Sequence, residues 1–172
     1  MIKVELNKDE VALVELLSRK RSQYNKKVKR NDLLKADKSR SAFIEKNGLG
    51  GEFATAKALN IYPDINSERI TRFDILLPNG KKVEVKTTEY ETGKLIVRNK
   101  NAADLYILVT GKIPEYKIIG YIYRNNLDDH VDKNINKGQE TYVVEQKHLS
   151  PIEHLISGEY LAILVKHDYH SL

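Results

Sequence analysis

The stretch that decides the fold is residues 70–88, ITRFDILLPNGKKVEVKTT. Two runs rich in Ile, Leu and Val flank Pro78-Asn79-Gly80, the pattern of a β-hairpin. Alternate residues of a strand share a face, so Val83 and Val85 point one way and Glu84 and Lys86 the other. The turn length decides what stands opposite them. A two-residue Asn-Gly turn pairs Asp74 with Val85 and sets a carboxylate on the apolar face. A three-residue loop with Gly80 left-handed pairs Leu77 with Lys81, Asp74 with Glu84 and Arg72 with Lys86. Phe73 and Ile75 then oppose Val85 and Val83, so the hydrophobic pattern selects the odd loop.

Outward from this hairpin, residues 94–98, 104–109 and 117–123 read as further strands, with 142–144 as a short edge strand and 160–165 as a last one. Helices precede the sheet. Asn7 with Glu10 forms a capping box ahead of Val11, Leu13, Val14 and Leu17 at helical spacing, which predicts a helix to about Tyr24. A second helical segment holds Ala42, Phe43 and Ile44. After Asn47-Gly48-Leu49-Gly50-Gly51, a third covers 52–59 with Phe53, Ala56 and Leu59 on its buried stripe. The glycines either separate two helices or let backbone approach a phosphate at a helix N-terminus. Ser150-Pro151-Ile152-Glu153 starts another helix, after a polar loop at 125–138. The expectation is an α/β domain with a mixed sheet.

At 172 residues the chain suits one domain, alone or with an arm, burying about 70% of its unfolded-chain surface. No apolar run approaches the ~18 residues of a membrane span, and no signal-peptide pattern appears. With no cysteine, thiolate metal sites and cysteine nucleophiles are excluded. A reducing cytoplasm is the expected location. Charge is uneven: residues 1–46 carry 13 Lys/Arg against 7 Asp/Glu, whereas 47–172 are nearly balanced, so the basic excess is N-terminal. Arg19, Lys20, Arg21, Lys26, Lys27, Lys29 and Arg30 make a run without an acid and with Tyr24 inside it. Such a run suits a polyanion, because neutralised phosphates release condensed counterions; the plainer reading is a solvated helix face or linker.

Glu52, Asp74, Glu84 and Lys86 carry the chemistry. Opposed carboxylates on neighbouring strands repel unless they share a proton, bind a cation or are held by Lys86 or Arg72. Hard oxygen ligands suit Mg²⁺ or Mn²⁺, and a lysine beside them can orient or deprotonate water or stabilise charge on a phosphate. The tripeptide E-x-K is weak alone: Glu115-Tyr116-Lys117 and Glu145-Gln146-Lys147 repeat it without an aspartate across a hairpin. The alternative for Glu84-Val85-Lys86 is an ion pair on a solvated hairpin face. Thr87 and Thr88 are strand positions first, and His167 and His170 lie in a polar tail without ligand spacing.

Asp74 followed by Glu84-Val85-Lys86, with Glu52 on a preceding helix, resembles the PD-(D/E)XK nuclease superfamily, over roughly residues 48–123. Phe73 stands where the motif's proline would be. Glu52 in its glycine-rich setting resembles the helix glutamate of Holliday junction resolvase-type nucleases. The resemblance implies a restriction-endonuclease-like mixed β-sheet flanked by helices, with residues 1–46 a basic N-terminal helical arm and 47–172 the nuclease domain. It implies a Mg²⁺- or Mn²⁺-dependent endonuclease or other DNA hydrolase with catalytic Glu52, Asp74, Glu84 and Lys86, and metal ligation by Glu52, Asp74, Glu84 and Val85. DNA is the expected partner, gripped by the basic run and Arg72, with branched or recombination intermediates as one substrate class. A homodimer is one option, because two strands need two sites. The alternative is a catalytically silent nucleic-acid-binding module of the same fold.

Overall fold

The structure is a computed structural model describing residues 1–27, 38–66, 73–132 and 140–156. Its elements in chain order are β1 (Ile2–Glu5), α1 (Lys8–Lys27), α2 (Lys38–Ala58), β2 (Ile75–Leu76), β3 (Lys82–Thr88), β4 (Leu95–Val97), β5 (Leu105–Lys112), β6 (Glu115–Tyr123), β7 (Val131–Asp132) and β8 (Thr141–Val144). The larger sheet has the order β1-β6-β5-β3-β2, in which β3 and β5 run parallel and the other pairs antiparallel. The smaller sheet is β4-β8-β7. This is a mixed-sheet α/β architecture, as the sequence pattern predicts.

The layers follow from side-chain alternation. On β5, Leu105, Ile107 and Val109 join one core cluster while Tyr106 and Leu108 join another. A strand buried on both faces reads as a continuous apolar run, which is how residues 104–109 look in sequence. The first cluster holds Val14 and Leu17 of α1, Leu49, Phe53 and Ala56 of α2, and Val83 and Val85 of β3. The second lies on the opposite face, where Leu95, Val97, Tyr142 and Val144 of the smaller sheet cover Tyr106, Leu108 and Ile122. Helices, a five-stranded sheet and a three-stranded sheet thus stack as three layers.

The N-terminal region departs from expectation. The proposed boundary at 46/47 falls inside α2, and β1 pairs with β6 as an edge of the larger sheet. Val4, Leu6, Val14 and Leu17 belong to the first core cluster. Residues 1–27 are therefore built into the domain. The capping box forms as predicted: Asn7 N–H donates to Glu10 Oε2 at 2.7 Å and Glu10 N–H to Asn7 Oδ1 at 2.9 Å.

The glycine segment also differs. Instead of ending one helix and starting another, Gly48, Gly50 and Gly51 lie within α2, so no helix N-terminus is present there to attract a phosphate. Their use is close packing. A Cβ on Gly50 would lie 2.1 Å from the Tyr116 hydroxyl, and one on Gly51 2.0 Å from Thr87 Oγ1. The Tyr116 hydroxyl donates toward Asn47 Oδ1 at 3.0 Å, and Asn47 Nδ2 donates to Gly111 O at 3.1 Å. These contacts seat α2 on the sheet and place Glu52 beside the Gly51–Thr87 approach. The expected strand 160–165, the polar tail and most of the residues 125–138 loop's second half lie outside the described residues.

Candidate functional site

The hairpin has the odd-loop register. Ile75 pairs with Val83 and Leu76 with Lys82, Leu77 N–H donates to Lys81 O at 2.9 Å, and Gly80 sits at φ +83°. Glycine takes this left-handed conformation at no steric cost, which is why a three-residue turn ends on it. The regular ladder then stops. Continued, it would turn the Asp74 N–H away from β3; instead that N–H donates to Val83 O at 2.8 Å. Regular pairing ends at Ile75, and the chain before it leaves the ladder.

This departure from the ladder changes two neighbours. Phe73, expected against Val85 on the apolar face, has its ring 5.7 Å from Lys82 Nζ and stays half-buried. Asp74 is buried at 6% exposure, and its Oδ2 accepts the Val85 N–H at 2.7 Å. In a regular ladder the Phe73 carbonyl would accept that hydrogen bond. The aspartate carboxylate is thus bonded to the main chain of Glu84-Val85-Lys86 itself.

Glu84 and Lys86 occupy the β3 face shared with Tyr106 and Leu108, since Val83 and Val85 fill the helix-side core. Lys86 Nζ lies 2.6 Å from Glu84 Oε1, with the lysine 39% and the glutamate 17% exposed. Burial, with the Glu84 charge close by, pushes the Tyr106 phenol above its ordinary value. Its hydroxyl donates to Asn99 O at 2.9 Å and so braces the loop before β5.

Glu52 comes from the helix layer. It stands in the interior of α2, not at a helix end, and pairs with Arg21 of α1: Nη1 to Oε2 is 3.0 Å, and both side chains are largely buried. Arg21 also donates through Nη2 to Asp64 O at 3.2 Å and through Nε to Asn66 O at 3.3 Å. This corrects its reading as a phosphate-gripping surface cation. Of the rest of the basic run, Arg19, Lys20 and Lys27 are exposed on α1. Arg19 lies 3.7 Å from Glu15 one turn earlier. The Lys26 side chain and all of Lys29, Arg30 and Arg72 lie outside what is described.

The structure therefore brings Asp74 onto the Glu84-Val85-Lys86 segment and closes a Glu84–Lys86 pair, while Glu52 answers to Arg21 from the other side of β3. Among the described residues, no three Asp, Glu or His side chains gather as a ready-made metal cage. Close association of all three carboxylates is not found. A cavity of about 780 Å³ near the β5–β6 turn, lined by Lys3, Glu89, Thr110 and Lys117, includes none of the four residues. A smaller one of about 240 Å³, between Phe73, Lys82 and Arg124, adjoins the hairpin. No described helix is long and apolar enough to cross a membrane. No protein-family model and no curated protein sequence matches the chain.

Proposed function

We propose that the chain is a metal-dependent deoxyribonuclease of the restriction-endonuclease-like kind, hydrolysing DNA phosphodiester bonds, with branched or recombination intermediates as one substrate class. The observation that carries this reading is the hydrogen bond from the Val85 amide to buried Asp74, which ties the aspartate to a strand bearing Glu84 and Lys86 on one face. Magnesium needs only one or two carboxylates, with water and substrate phosphate completing its shell, so a missing three-acid cage does not disqualify the donor set. Asp74, Glu84 and the Val85 carbonyl offer hard oxygen donors for Mg²⁺ or Mn²⁺, with Glu52 as the further acid. Such a cation supplies Lewis-acid polarisation of the phosphoryl group. Lys86, held as a donor against Glu84, can donate to a phosphate oxygen as negative charge develops there. Exposed Arg19, Lys20 and Lys27 suit a sequence-independent grip on the DNA backbone. A homodimer would supply the second site that a second strand requires.

One observation favours the alternative of a silent nucleic-acid-binding module: Glu52 and Glu84 each already carry a cationic partner. A panel of linear, single-stranded and four-way DNA substrates with Mg²⁺, scored for cut position, separates the two. Metal-dependent cuts that vanish on adding a chelator support the enzyme. DNA binding without any cut supports the silent module.

A further inference from the structure

Strand β1 is an edge of the larger sheet, paired with β6 on one side and with no other described strand. Its register fixes which backbone groups remain. Leu6 N–H donates to Pro114 O at 2.9 Å, and Val4 stands opposite Tyr116. Bonded and non-bonded pairs alternate along an antiparallel ladder, so Ile2 and Val4 turn their backbone toward β6 while Lys3 and Glu5 turn theirs outward. Glu5 O already accepts Lys57 Nζ at 3.0 Å, and a carbonyl keeps a second lone pair. The side chains of Lys3 and Glu5 are exposed on one face of the strand, opposite buried Val4. Within the sheet Lys3 faces Lys117 and Glu5 faces Glu115, like against like, which disfavours both pairs. Lys117 is held by Glu91, and among the described residues Lys3 and Glu5 have no ion-pair partner. Yet Ile2-Lys3-Val4-Glu5-Leu6, read as apolar, plus, apolar, minus, apolar, is complementary to its own reverse. Laid antiparallel on a second copy about a two-fold axis through Val4, Lys3 meets the partner's Glu5 and Glu5 the partner's Lys3. The outward N–H and C=O groups of these residues then bond across the join. We propose that β1 is the edge at which two copies of this chain pair, making the contact isologous. The proposal goes beyond the nuclease reading and does not depend on it. Its rival is that the charges on β1 keep other chains away from an open edge.

The test is sedimentation equilibrium at low salt on the full chain, Lys3→Glu, Glu5→Lys, their equimolar mixture and the Lys3→Glu/Glu5→Lys double variant. The parent should associate reversibly into dimers. Lys3→Glu sets glutamate against glutamate at both pairs and Glu5→Lys sets lysine against lysine, so each alone should raise the dimer dissociation constant about tenfold or more. The mixture restores opposite charges at both pairs and should dimerise again, as should the double variant, in which the charges are exchanged. Neither single change should lower the thermal midpoint of the monomer, since each relieves a like-charge pair with β6. Lys3→Pro serves as a second probe: it deletes an outward N–H, leaves the β1–β6 bonds in place and should also dissociate the dimer. A parent chain that stays monomeric at every concentration overturns the proposal and leaves β1 a protected edge. A dimer that survives the single variants or Lys3→Pro places the contact elsewhere and overturns it too. So does a mixture that stays monomeric, because charge would then not be read across the join.

Discussion

Arg21 shows how a residue read as surface can belong to the interior. Its place was partly legible: Val14, Leu17, Ser18 and Arg21 follow at helical spacing, and all four are buried. Its acidic partner, 31 residues away, was not legible, because no local pattern links the two. Removing one member of a buried ion pair leaves the other charge uncompensated, a loss of about 3–5 kcal/mol. Lys86 differs, being 39% exposed and contributing little to the core. Lys86→Ala should abolish cleavage while changing the urea midpoint and DNA affinity only slightly; activity within a few-fold of the parent would end its catalytic assignment. Asp74→Ala should cost about 1–3 kcal/mol, the penalty for leaving a buried N–H, here that of Val85, without its acceptor. Chemical denaturation checks this, and an unchanged midpoint would mean that the bond contributes nothing.

At the scale of elements, the glycine-rich turn of α2 offers the sharpest contrast. A Cβ at Gly48 meets nothing within 4 Å, whereas at Gly50 it meets the Tyr116 ring. Gly48→Ala should therefore raise stability by about 0.5–1 kcal/mol, the ordinary preference for alanine within a helix. Gly50→Ala should lower it by about 1–3 kcal/mol through overpacking. Equal effects at the two positions would contradict a continuous helix seated on Tyr116. The smaller sheet supplies a pH dependence. Lys94 and Lys147, each 2.9 Å from Glu145, hold its carboxyl down at about 2, from an ordinary 4.5. This contribution is complete above the ordinary carboxylate value and is lost as pH falls toward 2. Glu145→Gln should accordingly lose less thermal stability than the parent on acidification. The difference should shrink in high salt, since the carboxylate is exposed. A difference that survives salt, or is absent at low salt, would remove this role.

For the whole molecule, the basic surplus and the metal are the two levers. Neutralising Arg19, Lys20, Lys26, Lys27, Lys29 and Arg30, with Arg21 left in place, should weaken DNA binding across all sequences. The log–log salt slope should flatten by up to ~0.9 for each duplex phosphate that the protein no longer neutralises. An unchanged slope would make the run a solvated helix face. Saturating Mg²⁺ should raise the unfolding free energy of the parent chain, by about 2.7 kcal/mol at a hundredfold excess over Kd. Asp74→Asn should lose most of that gain together with cleavage; calorimetry with and without Mg²⁺ reads the first and the DNA substrate panel the second.

The sequence by itself determined what short-range physics determines. A period of two, a turn of Pro78-Asn79-Gly80 and a demand for matched apolar faces were enough to select the odd hairpin register, because a one-residue slip would invert every side chain. The buried run of β5 and the capping box of α1 were legible for the same reason. The tertiary structure decided the rest. Strand β1, at four residues, is too brief for its alternation to speak without β6 beside it. Helix α2 runs through its glycines because Tyr116 and Thr87 need the room. The end of the β2–β3 ladder at Asp74 replaced a regular ladder bond with a carboxylate acceptor. Glu52 met Arg21 because packing brought α1 against α2. Each of these depends on atoms remote along the chain, where sequence spacing carries no distance.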